Sequence, residues 1–264
     1  MPRILLVIFY LFSVLNANSL KEDFIVKKGL FKYFKVSDCM QLNLSTCFAN
    51  HPLTPYGLIY LPKSEQEIPY PGCSDECPFC NFFCHPDNGM SPIWRLDKDE
   101  AIVVDVGWIP SMKYSTFTMY LWGRYHKDLI FQEDTPYYLQ CKNKKSYCPH
   151  FASLGDSISI HSPTKVVITP SVTVYTKLFQ HFKDPNVKLL VMPGNILNMG
   201  VDTPTRDLFS FIHRIAFVDN QTEISEYIEN PTINITRLTL NHTLENNVLF
   251  DRVKLKKRKT GKKE

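Results

Sequence analysis

The sequence predicts an α/β or α+β protein, in which a mixed sheet with flanking helices follows an irregular, disulfide-pinned N-terminal part. Three observations favour this fold class. The run AIVVDVGW after Glu100 is rich in β-branched residues and is typical of a buried strand. The second half alternates strand and helix patterns. Residues 68–92 are dense in cysteine and proline, which excludes long regular elements there.

The chain begins with the three parts of a secretion signal. Residues 1–3 are short and positively charged, residues 4–15 form an apolar run, and residues 16–19 offer small residues for cleavage. The apolar run is too short to span a bilayer, and no longer one follows. We therefore expect residues 1–19 to be removed, and the mature chain to be secreted or to stay in the lumen of the secretory pathway, without a transmembrane segment.

The mature chain divides by composition into a cysteine- and proline-rich part (20–93), an α/β core (94–251) and a basic tail (252–264). The tail carries eight basic residues against one acid and is predicted to be disordered. It either holds the protein to sulfated glycans or anionic lipid, in the manner of a matrix-associated protein, or is a solvated terminus. The basic residues are concentrated in this tail, so nucleic acid is not an expected partner.

The eight cysteines and four sequons fit the same compartment. An even number of cysteines predicts disulfides in an oxidising lumen, and the alternative of a zinc site around His85 fits that lumen poorly. The expected pairing is 39–47, 141–148 and the middle four among themselves. The predicted disulfide residues are Cys39, Cys47, Cys73, Cys77, Cys80, Cys84, Cys141 and Cys148, and the predicted glycosylation sites are Asn43, Asn220, Asn234 and Asn241. No metal or cofactor is expected.

Local patterns predict the elements of the chain in order. Residues 20–36 are either two short strands or a frayed helix. We then predict strands at 57–61, 101–108, 115–122, 165–169, 187–192 and 233–240, and helices at 171–182, 207–217 and 222–229. The helix at 207–217 would have Asp202 or Thr203 near its cap. The strand, helix and strand between 165 and 192 predict a parallel crossover.

Two features of the core suggest chemistry. Asp105 interrupts an apolar strand, so we expect it either to be paired, with Arg124 as a candidate partner, or to belong to a site. The aromatic run 108–125 is interpreted as the lining of a pocket for a small apolar or glycan ligand, although aromatic residues also pack cores. The candidate ligand-binding residues are Trp108, Tyr114, Tyr120, Trp122 and Arg124.

Two resemblances are carried by this region. The segments RLDKDEAIVVDVGWIPSMKYSTFTMYL, FASLGDSIS and TKVVITPS resemble a family of secreted or exported proteins that share a DEA-apolar strand, a Tyr-Phe run and a FASLGDS segment in this order. No function or catalytic residue is assigned to that family, so the resemblance implies only the secretory setting. The shorter segment LGDSIS resembles the nucleophile block of the GDSL/SGNH hydrolases.

The second resemblance implies an alternative function, an ester or acyl hydrolase with Ser157 as nucleophile. A serine hydroxyl needs a base within hydrogen-bond reach and donors for the oxyanion. His150, His181 and His213 are candidate bases, and Asp156 and Asp207 are candidate orienters. The Asp-x-x-His of those hydrolases is missing, and Gly155-Asp156-Ser157 is also typical of an ordinary turn. Whether the protein is an enzyme therefore stays open, and we expect a monomeric glycoprotein.

Overall fold

The computed structural model describes residues 20–41, 53–68, 90–125, 147–182, 184, 186–194, 196–203, 205–242 and 246–251, with backbone alone at 125 and 147–156. The elements are β1 (Phe24–Lys28), β2 (Leu30–Phe34), α1 (Val36–Gln41), β3 (Tyr56–Pro62), β4 (Met90–Ser91), β5 (Glu100–Val106), β6 (Met112–Tyr125), β7 (Tyr147–Ser159), β8 (Thr164–Thr169), α2 (Val172–His181), β9 (Val187–Val191), β10 (Leu208–Val218), α3 (Gln221–Glu229) and β11 (Ile233–Leu240).

The strands form two sheets. Sheet A has the order β1-β11-β5-β8-β9, and only its β8–β9 pair is parallel. Helix α2 connects these two strands, so the predicted strand, helix and parallel strand are confirmed. Sheet B has the order β2-β3-β10-β6-β7, with the short β4 beside β3, and its pairs are antiparallel. The fold thus combines helices and strands as expected, in two sheets.

Strands from the first part of the chain are built into both sheets. Strand β1 pairs with β11, and β3 pairs with both β2 and β10. Within residues 20–36, the segments 24–28 and 30–34 therefore form two short strands, which was one of the two predicted alternatives. Residues 20–93 and 94–251 share the same sheets instead of forming separate layers.

The main core lies between the two sheets, which pack face to face. It is formed by alternate residues of facing strands, including Phe31, Ile59, Ile102, Val104, Phe117, Met119, Val166, Ile168, Phe209, Phe211 and Ile235. Helix α2 covers the other face of sheet A with Val174 and Leu178, both fully buried. Its first turn is capped by Ser171, whose hydroxyl accepts a hydrogen bond from the backbone of Val174 at 3.0 Å.

The helix predicted at 207–217 is wrong, because these residues form strand β10. The strand is central in sheet B, between β3 and β6, and apolar side chains on both of its faces are buried. Such a strand shows apolar residues at odd and even positions alike, which sequence periodicity does not distinguish from a buried helix. The predicted helix at 222–229 and strand at 233–240 are confirmed as α3 and β11.

Asp105 is paired, which was one of the two expected alternatives, but its partner is Lys165 and not Arg124. Its side chain is 46% exposed and forms an ion pair with Lys165 on the neighbouring strand β8 at 2.7 Å. Arg124, the candidate partner, instead forms a bidentate ion pair with the buried Asp207.

Glu100 and Arg237 form a fully buried ion pair. The Glu100 carboxylate accepts hydrogen bonds from the hydroxyls of Ser64 and Thr239, from the backbone of Asp97, and from Arg237 at 3.0 and 2.7 Å. Burial alone raises the pKa of Glu100, but the charge and hydrogen bonds of Arg237 outweigh it and hold this pKa below its ordinary value.

The same network fastens loops to both sheets. Arg237 also donates to the carbonyls of Pro62 and Arg95 and to the carboxylate of Glu67. Glu67 in turn accepts from the backbone of Ser64 and Arg95. The RLDKDEA segment, which carries the resemblance described above, therefore contributes to a buried polar network with a structural role.

Little of the predicted disulfide framework falls on described residues. Cys39 in α1 is buried and disulfide-bonded. The backbone of Cys148 belongs to β7, while Cys47, Cys73, Cys77, Cys80, Cys84 and Cys141 lie outside the described residues, as do Asn43, the predicted signal and the basic tail. The pairing stays a prediction. Among the described helices, none has both the length and the apolar character needed to cross a bilayer.

Candidate functional site on the outer face of sheet B

Arg214 lies on the face of sheet B that points away from the main core. Its neighbours along β10, His213 and Ile215, are buried against sheet A, whereas Arg214 is partly exposed. Successive side chains of a strand point to opposite faces. The single arginine of this apolar strand is thus placed on the outer surface.

Two tyrosines flank the guanidinium of Arg214. Its central carbon lies 5.0 Å from the centre of the Tyr56 ring and 5.6 Å from the centre of the Tyr120 ring. Both distances are within the range of a cation–π interaction. Strands β3 and β6 carry these tyrosines on either side of β10. The order of the strands therefore builds the site from three separate parts of the chain.

The guanidinium has unused hydrogen-bond donors. The Nε atom of Arg214 is buried and has no hydrogen-bond partner among the residues that the structure describes. Within the part of the chain that the structure describes, no carboxylate forms an ion pair with Arg214. A guanidinium offers five N–H donors in a planar fork that matches carboxylates, sulfates and phosphates. The site is therefore a fixed cation suited to an anionic group.

Hydroxyl groups continue the outer face beside Arg214. Arg214 is opposite Thr116, which is opposite Ser159, and the next row holds Thr118 opposite Ser157. Directly paired residues of antiparallel strands share one face. Ser157 and Ser159 are exposed, while the two threonines are largely buried. A row of hydroxyls next to a cation and two aromatic rings is the composition expected for a polar, ring-shaped ligand.

The floor of this site is apolar. It is formed by a small cluster that includes Phe34, Leu58 and Ile212, with Tyr60 packed against it. Burial raises the pKa of Tyr120, an effect that the Arg214 charge opposes only in part. Burial likewise raises the pKa of Tyr60. Both phenols are therefore neutral at physiological pH and keep their O–H donors.

The structure separates the predicted aromatic ligand set. Tyr120 is part of the Arg214 site, and Tyr114, which is 40% exposed, lies on the same strand and is paired with Ala216. Trp122 is partly buried at a register irregularity of β6. Trp108 lies elsewhere, 48% exposed, with its ring 5.8 Å from that of Tyr227 in α3. Arg124, the fifth candidate, forms the ion pair with Asp207 that is described above.

The predicted catalytic set is not brought together among the described side chains. Ser157 is exposed on the outer face, whereas His213 is fully buried on the inner face of the same sheet. His181 is bonded to Asp23 beside α2 at 3.0 Å. Gly155, Asp156 and Ser157 lie within β7 at a register irregularity instead of a loop turn. The side chains of Asp156 and His150 lie outside the described residues.

His213 instead belongs to a buried cluster that sequence reasoning missed. Its Nδ1 is 3.0 Å from the Tyr33 hydroxyl, and its Nε2 is 2.9 Å from the Ser115 hydroxyl. Its ring stacks on the ring of Phe117, with 4.2 Å between the two ring centres. Burial lowers the pKa of His213 to about 3, so the imidazole is neutral. The serine and histidine have no solvent exposure, so a substrate does not reach them in this conformation. We interpret the cluster as structural.

The comparisons with known proteins add no family: no protein-family model, curated protein or solved structure matches the chain. Among the described residues, no group of three or more histidine, cysteine, aspartate or glutamate side chains is arranged to hold a metal ion. The chemistry of the Arg214 site is therefore argued from the positions of its own residues.

Proposed function

We propose that this protein is a secreted, disulfide-bonded glycoprotein that binds an anionic saccharide, one bearing a carboxylate or a sulfate, on the outer face of sheet B. The observation that carries this proposal is Arg214, a partly exposed guanidinium that lies against Tyr56 and Tyr120 and has no ion-pair partner among the described residues. An anionic acceptor that reaches its exposed part forms a charge-assisted hydrogen bond.

The groups around Arg214 support a saccharide over a simple anion. Sugar rings combine hydroxyl groups with apolar faces, so they bind surfaces that combine hydroxyls with aromatic rings. Ser157 and Ser159 supply exposed hydroxyls on the same face of the sheet. In this role Ser157 is a hydrogen-bonding group and not a nucleophile, and no covalent step is required.

The predicted secretion signal, the even number of cysteines and the four sequons support the secretory setting. The likeness of the RLDKDEA and FASLGDS segments to secreted or exported proteins agrees with it. The irregular, disulfide-pinned front of the chain belongs to the same proposal, and the disulfide of Cys39 supports it. The basic tail is a second, separable source of affinity for anionic surfaces.

A panel of soluble saccharides tests the function. Neutral oligosaccharides are compared with matched ones that carry a carboxylate or a sulfate, using the full chain and a chain that lacks Lys254 to Glu264. Saturable binding of the charged members by both chains supports the proposal. Binding that disappears with the tail would instead assign the affinity to the tail alone, and equal binding of neutral and charged members would exclude the role of a fixed cation.

A further inference from the structure

Residues 20–23 form a helical turn that is fastened to the edge of sheet A next to β1. Leu20 packs against the apolar cluster beneath α2. The Asp23 carboxylate accepts hydrogen bonds from Lys177 and His181 of α2, each at 3.0 Å, and the Asp23 carbonyl accepts one from the backbone of Asn241. These are the first residues after the predicted signal, and they are docked by several contacts.

The side chain of Asn241 completes this docking. Its Nδ2 atom donates to the carbonyls of Lys21 and Glu22, at 3.0 and 2.6 Å. An amide nitrogen has only two hydrogens, and both are used here. The orientation of the amide is unambiguous, because a flipped amide would place its Oδ1 atom against two carbonyl oxygens, which cannot donate a hydrogen bond. Asn241 is also the acceptor of the sequon Asn241-His242-Thr243.

We infer that a glycan on Asn241 and the docked turn at residues 20–23 exclude each other. A glycan is joined to the same Nδ2 atom through a single C–N bond of about 1.45 Å, and it replaces one of the two hydrogens. The carbonyl oxygens of Lys21 and Glu22 already lie in contact with that nitrogen, so the sugar carbon would overlap one of them. Glycosylation therefore removes one hydrogen bond and displaces the turn.

The other described sequons have no such conflict. Asn220 caps α3 through its Oδ1, which accepts from the backbone of Thr222 and Glu223, and this leaves its Nδ2 without a partner in the described structure. Asn234 is exposed on β11, and no hydrogen bond of its side chain occurs among the described residues. Both positions accept a glycan without loss of a contact, so among the three described sequon asparagines Asn241 alone couples modification to the start of the mature chain.

The order of events decides which form is made. If the glycan is added before β11 meets the turn, the turn stays undocked and the Asp23 carboxylate loses the geometry that holds Lys177 and His181. If the turn docks first, the Nδ2 atom is blocked and the sequon stays empty. The inference depends on the secretory part of the proposed function, because glycan transfer requires entry into the lumen.

The experiment measures site occupancy and docking on the same secreted protein. Glycopeptide mass spectrometry gives the occupancy of Asn241, and hydrogen exchange of peptides spanning residues 20–28 reports docking. The variant Thr243→Ala removes the sequon and leaves Asn241 intact, so its turn is fully docked. The variant Asn241→Asp removes the donors and serves as the undocked reference. Protein glycosylated at Asn241 is expected to exchange about ten-fold faster than Thr243→Ala over these residues.

Protein that carries a glycan at Asn241 and is protected as well as Thr243→Ala would overturn the inference. If Asn241 is unoccupied in the wild type, Asp23→Ala supplies the test, because weakening the docked turn must raise occupancy at Asn241, and an unchanged value contradicts the inference. A parallel chain with residues 1–19 replaced by a standard cleavable signal separates the two proposals. If Asn220 and Asn234 carry glycans only in the chain with the replaced signal, the native residues 1–19 do not direct secretion. That result would contradict the secretory part of the proposed function and leave the inference about Asn241 unaffected.

Discussion

Glu100 and Arg237 meet as a bidentate ion pair with no solvent exposure of either side chain. A buried charge that loses its partner keeps the cost of its desolvation. We therefore expect Arg237→Met to lower the free energy of unfolding by about 3–5 kcal/mol, measured by chemical denaturation. The doubly substituted chain, Glu100→Gln with Arg237→Met, should be more stable than the single Arg237→Met variant.

The exposed pair of Asp105 and Lys165 is the matched control for this prediction, because it also joins neighbouring strands of sheet A. Surface ion pairs contribute about 0–1 kcal/mol. Lys165→Met should therefore have little effect on the free energy of unfolding. Equal losses for Lys165→Met and Arg237→Met would mean that burial does not distinguish the two pairs.

The buried histidine predicts a pH dependence of stability. The pKa of His213 is about 3 in the folded protein, below the value of about 6.5 expected in an unfolded chain. Between these two values the unfolded chain binds a proton that the folded chain does not. The free energy of unfolding should thus fall by about 1.4 kcal/mol per pH unit as the pH drops from about 6.5, and His213 contributes no such loss above that pH.

The variant His213→Gln isolates this effect, because the acidic groups that titrate in both proteins cancel in the comparison. The difference in unfolding free energy between wild type and variant should change with pH between about 4 and 6 with the slope of one proton. Two results would contradict the burial of a neutral ring. One is a difference in unfolding free energy between the two proteins that does not change with pH, and the other is an imidazole NMR resonance of His213 that titrates near its ordinary pKa.

The predicted compartment has its own test. The protein collected from the medium of secreting cells should contain no free thiol among its eight cysteines and should lose mass on treatment with a glycosidase. Thiol counting under denaturing conditions and mass spectrometry measure both properties. Eight free thiols, or retention of the chain in the cytosol, would remove the secretory setting from the proposed function.

The basic tail predicts binding that depends on ionic strength. Exposed charges are screened by salt, so retention of the protein on heparin should weaken as salt is raised, and deletion of Lys254 to Glu264 should reduce it. Elution from a heparin column with a salt gradient gives the measurement. Elution at the same salt concentration with and without the tail would leave the tail as a solvated terminus.

Elements defined by local signals could be predicted from the sequence. Strand β5 is a continuous β-branched run, and α2 has both a serine cap and an apolar stripe. Strand β10 was missed because it is buried on both faces, and its apolar residues then occur at helical as well as alternate spacing. The pair of Glu100 and Arg237 was not predicted, because the two residues are distant in sequence and have no local signature of their pairing.

The candidate site was only partly accessible to sequence reasoning. The aromatic run included Tyr120, but the Arg214 guanidinium that lies near its ring and the neighbouring Tyr56 belong to other strands. They meet because β10 lies between β3 and β6, and strand order in a sheet is not encoded by any local pattern. A correct assignment of β10 as a strand would have placed Arg214, the arginine between His213 and Ile215, on the face opposite to the core.

The most direct test of the central proposal compares Arg214→Gln with Arg206→Gln in binding to a carboxylate-bearing or sulfated saccharide identified in the panel. Arg206 is the control because it forms a partly exposed ion pair with Asp202 in the segment that precedes β10. A charge-assisted hydrogen bond contributes about 1.5–3 kcal/mol. Titration calorimetry should thus show Kd raised roughly ten- to hundred-fold for Arg214→Gln and changed by no more than about twofold for Arg206→Gln, with both variants folded. An unchanged Kd for Arg214→Gln would contradict the proposal that this guanidinium holds the ligand.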